Sequence, residues 1–183
     1  MADWEVISQG EVTGSTTSDI DFDSIPGTYQ HLEISLSGRM EASNWQTLYI
    51  RFNSNTGYLG YIRFASTQAV AGAVTQGSGW SNSTQYAECG HIAGNNFSAG
   101  AFGNVTMIIP NYADSTVPKT VLTRCAGGSG GSVDGQASAF CLAVTDGGAT
   151  MPAITQISLA PYPFGGTTYW TAGSSYMLAG YKG

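Results

Sequence analysis

The hydrophobic positions of this chain alternate with polar positions in short runs, and Gly, Ser, Asn and Asp separate one run from the next. A period of two between turn-forming residues is typical of β-strands with one buried face. No clear stripe of helical spacing appears, so the pattern predicts an all-β protein. The clearest runs are HLEISLSGRM (31–40), QTLYIRFN (46–53), YIRFA (61–65), VTMIIP (105–110) and AITQISLA (153–160).

Weaker runs add strands elsewhere, which brings the expected total to about ten. Those strands are predicted at 3–12, 67–75, 86–93, 119–126, 136–145 and 175–182, with long loops at 76–85 and 94–101. No repeat of fixed period is present, which disfavours a propeller or a β-helix. We therefore predict one antiparallel β-sandwich domain over residues 1–183, closed like a jelly roll, with 1–18 as an N-terminal arm.

Two hairpins are predicted from turn chemistry. In the first, a strand with Leu48, Ile50 and Phe52 facing inward is followed by the Gly-bearing loop 53–57 and by a strand over 61–65. In the second, the pair Asp134-Gly135 turns strand 119–126 into strand 136–145.

The composition points away from nucleic acid and membrane partners. Only 10% of the residues are charged, against about 25% in an average domain, so the surface consists largely of Ser, Thr, Asn, Gln and Gly. That profile suits a secreted protein, a lectin-like module or a virion component. The net charge is −6 without a Lys/Arg cluster, so neither nucleic acid nor an anionic membrane is an expected partner. No apolar run approaches the roughly 20 residues of a membrane span.

Cysteine spacing and the first residues indicate folding in a reducing cytoplasm. The start, MADWEVISQGEV, is acidic and lacks the basic and apolar regions of a signal peptide. Cys89, Cys125 and Cys141 are odd in number and widely spaced, with no C-x-x-C pair. Neither a zinc site nor a disulfide framework is therefore predicted.

Two sequence patterns resemble nucleophilic sites, and both have simpler interpretations. Residues 127–131 match G-x-S-x-G, but a Gly/Ser tract and another strand follow where a nucleophile elbow needs a helix. Cys89 and His91 are two residues apart on one predicted strand face, too far for a dyad, so a buried structural cysteine is expected. We predict no catalytic residues and no enzyme activity.

Asp19, Asp21 and Asp23 alternate with apolar residues and resemble the start of a calcium loop. The helical calcium loop also needs Gly and Glu at its sixth and twelfth positions, where Ser24 and Gln30 stand. A solvated strand face that discourages edge pairing is the main interpretation, with a sandwich-type calcium site as the alternative. No metal and no cofactor is predicted.

Candidate interface residues are arginines and tryptophans. Arg39, Arg51 and Arg63 fall at outward positions of strands expected to be adjacent. They form either a row that binds a partner's carboxylates or pairs with Glu33 and Glu41 within the sheet, and both interpretations stay open. Loop-borne aromatic residues are typical of sugar platforms and of protein interfaces; those singled out are Trp45, Trp80 and Trp170.

Several segments in order resemble a family. IPGTYQHLEISLSGR (25–39) followed by LYIRFNSNTGYLGY (48–61) resembles a pattern of tailed-bacteriophage structural proteins, I-P-x-T-Y-x-H-L, a Ser/Arg strand, then R-F-N-x-x-(S/T)-G-x-x-Y. The later segments are similar to that group too: NYADSTVPKTVLTRCAG (111–127), AITQISL (153–159) and AGSSYMLAGY (172–181).

The resemblance implies a jelly-roll-like virion component without catalytic residues. We expect a capsid decoration, or cement, protein that binds the major capsid protein as a homo-oligomer, a trimer, in virions assembled in the host cytoplasm. A tail-fibre or carbohydrate-binding module for host attachment is the main alternative. A hydrolase on a jelly-roll scaffold is a third, which the scarcity of paired acids and histidines disfavours.

Overall fold

The computed structural model describes residues 3–14, 17–42, 46–54, 58–69, 76–81, 86–95, 97, 100–127, 135–146, 151–161 and 168–182. For 58–69, 76–81 and 135–146 it describes the backbone alone. These residues form strands and loops without a helix, so the prediction of an all-β chain is confirmed. No helix within the described ranges is long and apolar enough to cross a membrane.

Twelve strands are present in the described residues, and they form two antiparallel sheets. The large sheet has the order β1-β12-β3-β8-β9-β10-β5-β6, and the small sheet has the order β2-β11-β4-β7. This is the expected antiparallel β-sandwich. The strands are β1 (Asp3–Glu11), β2 (Ile20–Phe22), β3 (His31–Gly38), β4 (Gln46–Phe52), β5 (Tyr58–Ala69), β6 (Gln76–Ser81), β7 (Ala87–Ile92), β8 (Gly103–Pro110), β9 (Lys119–Gly127), β10 (Gly135–Asp146), β11 (Ile157–Ala160) and β12 (Ser175–Lys182).

Alternation in the sequence becomes alternation in burial. In β3 the side chains of Leu32, Ile34 and Leu36 are buried, and the residues between them are half-buried. In β8 and β9 every second side chain is buried and most of the others are exposed. The inward residues of both sheets form a core whose largest members include Phe22, Phe52 and Trp170.

The predicted hairpin between β4 and β5 is wrong. The strand β4 pairs with β11 and β7 in the small sheet, whereas β5 pairs with β10 and β6 in the large sheet. Asn53 ends β4 in a left-handed conformation with φ of 52°. Its side-chain Oδ1 accepts hydrogen bonds from the backbone N–H groups of Thr155 (2.8 Å) and Gln156 (3.1 Å). These long-range bonds anchor the end of β4 beside the residues that lead into β11.

Three other expectations have clear outcomes. The β9–β10 hairpin is formed, with pairs from Val144–Lys119 to Gln136–Gly127, and its tip at 128–134 lies outside the described residues. The strand β6 lies within the predicted loop 76–85, because pairing with β5 compensates for its Gly/Ser-rich sequence. Residues 3–11 are not a separate arm, because β1 pairs with β12 along its whole length.

One end of the sandwich is closed by two tyrosines. The Tyr112 hydroxyl donates to the Pro26 carbonyl and accepts from the Tyr29 backbone N–H at 3.3 Å. The Tyr29 ring lies directly over Gly180 of β12. A Cβ added at Gly180 would stand 2.7 Å from Cδ2 of that ring and closer still to Cγ and Cδ1. Only glycine therefore fits beneath Tyr29.

Candidate interaction surface

The outer face of the large sheet is the surface of β1, β12, β3, β8 and β9 that points away from the small sheet. Directly paired residues of neighbouring strands lie on the same face. The pairing Val6–Ala179, Ala179–Glu33, Glu33–Ile108 and Ile108–Leu122 therefore defines one line of side chains across this face.

Two apolar patches are exposed on this surface. Among the described residues, every exposed large hydrophobic side chain belongs either to β1 or to the β8–β9 hairpin. Trp4 (44% exposed) and Val6 (42%) form the β1 patch. Ile108 (42%), Leu122 (45%) and Val117 (36%) in the connecting turn form the hairpin patch. Grouped exposed hydrophobic residues mark interaction sites more often than scattered ones do.

The charged residues of β1 and β9 are divided between the two faces of the large sheet. The strand β1 carries Asp3, Glu5 and Glu11. Lys182 of β12 forms an ion pair with Glu5 at 2.7 Å, and its hydrogen bond lowers the pKa of the Glu5 carboxyl. The strand β9 carries only the basic residues Lys119 and Arg124. Asp3 and Glu5 alternate with Trp4 and Val6 and lie on the opposite face of β1, because Glu5 pairs with Gly180 and Gly180 pairs with the buried Leu32. On the outer face itself, β1 contributes the carboxylate of Glu11 and β9 the guanidinium of Arg124.

Lys119 is held inside the hairpin, whereas Arg124 faces solvent. The Lys119 side chain is fully buried, and its ammonium donates to the Asp114 carbonyl. Burial lowers the pKa of this ammonium. Arg124 lies two residues after Leu122 on the exposed side of β9. It is therefore the basic group of β9 that a partner would meet.

A polar depression of about 750 Å³ lies between β1 and β8 on the outer face. Small hydroxyl and amide side chains line it, including Ser35, Ser37, Asn104, Thr106 and Ser175. Gln9 and Glu11 of β1 contribute to its lining as well. The lining residue Tyr176 turns its ring towards Phe22 in the core, with the ring centroids 5.6 Å apart. Hydroxyl and amide groups could hydrogen-bond a polar ligand here.

The predicted arginine row is wrong. Arg39 follows β3 of the large sheet, Arg51 lies in β4 of the small sheet, and Arg63 lies in β5, whose side chains are outside the description. None of these three strands neighbours another. The Arg39 Nη2 donates to the carbonyls of Asn95 (2.9 Å) and Phe97 (3.0 Å). That guanidinium thus holds a loop of its own chain.

The prediction that Trp170 lies at the surface is wrong. Its side chain is fully buried, and its ring contacts Gly38, where an added Cβ would stand 2.9 Å from Cζ3. A bridge with Met40 draws this loop residue onto the end of β3. Trp45 lies outside the described residues, and for Trp80 only the backbone, in β6, is described.

The aspartates of the β2 region are outward-facing, as the alternation predicts. Asp21 and Asp23 are exposed, and Ile20 and Phe22 are buried. Burial raises the pKa of Asp19, the Asp21 carboxylate raises it further, and Arg51 lowers it. Asp23 accepts a hydrogen bond from Gln156 at 2.7 Å. The described part of the chain contains no cluster of three or more His, Cys, Asp or Glu residues that could hold a metal ion.

Cys89 and His91 do not share a strand face, contrary to expectation. The pairing of β7 with β4 skips Cys89, because Leu48 pairs with Gly90 and Tyr49 pairs with Glu88. This bulge turns Cys89 into the core and leaves His91 half-buried. The Cys89 thiol donates to the Leu48 carbonyl at 3.3 Å, and burial raises its pKa well above the ordinary value. The expected buried structural cysteine is confirmed. The remaining nucleophile motif falls at 127–131, of which 128–131 lie outside the described residues.

We expect His91 to make the fold sensitive to acid. Burial lowers the pKa of its imidazole below 6.5. The unfolded chain therefore binds the proton more readily, and the free energy of unfolding decreases as the pH falls through about 6.5. His91→Gln should flatten that decrease in urea unfolding measured at pH 7.5 and pH 5.5. An unchanged pH dependence in the variant would contradict this assignment.

The patch residues could have been found by one signal in the sequence. In VTMIIP and in TVLTRC, apolar residues occupy both odd-numbered and even-numbered positions. Successive side chains of a strand point to opposite faces, and the odd-numbered residues of these two strands face the core. Apolar residues at even-numbered positions must therefore face outward, as Ile108 and Leu122 do. Trp4 and Val6 fall on one face of the first strand in the same way.

Comparisons of this chain with known protein families, with functionally characterised proteins and with solved structures find no match.

Proposed function

We propose that this chain is a structural protein of a tailed-phage virion, namely a head decoration protein. It binds the major capsid protein on the outer face of the head as a symmetric homo-oligomer, a trimer, and stabilises the capsid lattice. The observation that carries the proposal is the pair of apolar patches on the outer face of a β-sandwich. Such a surface serves binding between proteins and requires no catalytic group.

The strand order supports the jelly-roll form of this proposal. If β5–β6 and β9–β10 are treated as hairpins inserted into the chain, eight strands remain. When these eight strands are numbered again in chain order, the large sheet has the order first, eighth, third, sixth (β1, β12, β3, β8). The small sheet has the order second, seventh, fourth, fifth (β2, β11, β4, β7). That order has the two Greek keys of a jelly roll, an architecture of viral capsid and lectin domains. The inserted strands extend the large sheet beyond β8.

Stabilisation of a capsid by such a protein follows from mass action. A protein that binds the assembled lattice and not the free subunits shifts the equilibrium towards the lattice. Each contact needs no more than a standard interface of about 1,600 Å². Repetition over a symmetric shell multiplies the effect.

The test is binding of the purified protein to undecorated, expanded phage heads. We expect the protein to sediment with the heads in saturable amounts and to raise the temperature at which the heads break open. Heads that already carry the protein serve as the control, because their sites are filled. Absence of co-sedimentation at protein concentrations well above those of the head sites would refute the decoration function.

The polar depression favours one second candidate, a carbohydrate-binding module for host attachment. Its hydroxyl and amide lining could hydrogen-bond a glycan, as lectin domains on the same architecture do. A glycan array and binding to host polysaccharide would test it. Binding that is lost when Ser35 and Ser37 are replaced by bulkier valines would support this candidate over decoration.

A further inference from the structure

We infer that the outer face of the large sheet carries a groove that binds a neutral oligosaccharide, with the sugar chain lying along β12 and β3. The inference rests on the glycan-binding candidate of the proposed function, and it names the site and the ligand class. Leu122 of the hairpin patch lies on β9, beyond the groove, and stays available for contact with a phage head.

The groove is defined by four rows of side chains across neighbouring strands. Directly paired residues lie on the same face, so the register of β1, β12, β3 and β8 gives each row. Along β12 the first and last rows are six residue steps apart, about 20 Å, which is long enough for several linked sugar rings. The rows are Trp4–Tyr181–His31–Pro110, Val6–Ala179–Glu33–Ile108, Gln9–Met177–Ser35–Thr106 and Glu11–Ser175–Ser37–Asn104.

Small residues on the two middle strands form the floor of the polar half. Ser35 and Ser37 of β3 and Ser175 of β12 are short, whereas longer polar side chains stand beside them on β1 and β8. This difference in length accompanies the depression of about 750 Å³ that the same residues line. A volume of this size lies within the usual range of ligand sites.

The polar half carries hydrogen-bonding groups that the protein itself does not use. Within the described part of the chain, the side chains of Gln9, Ser37, Asn104, Thr106 and Ser175 make no hydrogen bond. Their hydroxyl and amide groups both donate and accept, as the hydroxyl groups of a sugar do. This match favours a ligand that is rich in hydroxyl groups.

The charges of the groove favour a neutral sugar over an acidic one. The four rows contain the carboxylates of Glu11 and Glu33 and neither lysine nor arginine. Arg124 stands on β9, on the far side of Thr106. A sulfated, phosphorylated or carboxylated sugar would therefore meet two carboxylates in the groove without a cation to bind it.

The other end of the groove is aromatic. Trp4 is 44% exposed and stands edge-on to Tyr181, with the ring centroids 6.3 Å apart. This contact holds the indole in place before a ligand arrives, which reduces the entropy lost on binding. A sugar ring can pack its apolar C–H face on such a ring and turn its hydroxyl groups towards polar neighbours.

Glu33 supplies the polar neighbour in the next row. The Tyr181 hydroxyl donates to its Oε2 at 3.0 Å, and the Ser35 hydroxyl donates to its Oε1 at 3.5 Å. An ionised carboxylate has further lone pairs, so Glu33 can still accept a hydrogen bond from a sugar hydroxyl. The carboxylate is thus oriented between the aromatic end and the polar half.

The experiment presents the purified full chain to an array of neutral, sialylated and sulfated oligosaccharides, and then titrates the best neutral ligand by calorimetry. We expect binding to neutral oligosaccharides and none to the acidic ones. Trp4→Ala should weaken binding by about 10-fold or more, because it removes the stacking ring, and Trp4→Phe should restore part of the affinity. Ser175→Tyr should abolish binding, because it fills the floor.

Leu122→Asp is the matched control. Leu122 is as exposed as Trp4, at 45% against 44%, but it lies outside the four rows. This variant should bind the oligosaccharide as the unchanged protein does. Urea unfolding of each variant checks that it is folded.

Three results would overturn the groove. They are the absence of binding to any neutral oligosaccharide at up to about 1 mM, a preference for acidic sugars, and binding that Trp4→Ala and Ser175→Tyr leave unchanged. In the last case the chain still binds glycans, but at another site. Co-sedimentation with phage heads tests decoration separately, and a protein that binds the sugar but not the heads would refute decoration and leave the groove intact.

Discussion

Trp170→Ala is expected to lower the free energy of unfolding by about 3–5 kcal/mol, the usual cost of removing a large aromatic side chain from a core. The Trp170 side chain is fully buried and packs over Gly38 beside Met40. Its backbone N–H donates to Thr17 at 2.8 Å, and alanine keeps that bond. The indole Nε1–H finds no acceptor in the described part of the chain. The loss is therefore one of packing.

Urea unfolding of the purified variant measures this loss, and the chain offers a matched control in Trp4→Ala. The same side chain is removed there from a position 44% exposed, so a clearly smaller loss is expected. Trp170→Phe should recover part of the difference, because a smaller ring fills part of the cavity. Equal losses in Trp170→Ala and Trp4→Ala would contradict the placement of Trp170 in the core.

This prediction also replaces an expectation made from the sequence. As a loop aromatic, Trp170 was a candidate for binding sugars or proteins. If a partner's affinity decreases in Trp170→Ala, we expect it to decrease in proportion to the unfolded fraction and to return at lower temperature.

Gly180→Ala is expected to destabilise the fold by about 1–3 kcal/mol, the range for overpacking a well-packed site. The added methyl group would overlap the Tyr29 ring. That ring cannot easily retreat, because Tyr29 is buried and its backbone N–H donates to the Tyr112 hydroxyl. The ring must shift, and the tyrosine-closed end of the sandwich must loosen with it.

The control for this substitution is Gly27→Ala. A Cβ at Gly27 would meet nothing within 4 Å, so its effect should be near zero or slightly stabilising, by up to about 1 kcal/mol, through the unfolded state. Thermal and urea unfolding of both variants measure the difference. If Gly180→Ala is as stable as Gly27→Ala, the Tyr29 ring does not lie over β12.

Alternation in the sequence was sufficient to predict the sheets, because a strand with one buried face must repeat every two residues. It placed Leu32, Ile34 and Leu36 in the core correctly. It could not say which strands pair. The β4–β5 hairpin was inferred from a short Gly-bearing loop, but the hydrogen bonds of Asn53 to residues 153–156 belong to a distant segment. Nothing local to 46–65 encodes that preference.

The rule that every second residue of a strand shares a face also fails wherever a β-bulge is present. Cys89 and His91 are two residues apart, but the extra residue of the bulge in β7 places their side chains on opposite faces. The arginine row failed for a different reason. Alternation along each strand predicts that Arg39, Arg51 and Arg63 face outward, but only the order of strands in the sheets shows whether their strands are neighbours. The exposed apolar residues were within reach of the sequence, because Ile108 stands beside the inward Ile109.

The central position of β3 has a consequence for how the chain folds. Its neighbours are β8 on one side and β12 on the other, so one partner is synthesised long before the second. Until β12 emerges from the ribosome, β3 and β1 both lack the strand that lies between them. Pairings between such distant segments form slowly, within milliseconds to seconds for sandwiches of this kind. The nascent chain therefore presents open strand edges until β12 has emerged, and such edges make folding intermediates prone to aggregation.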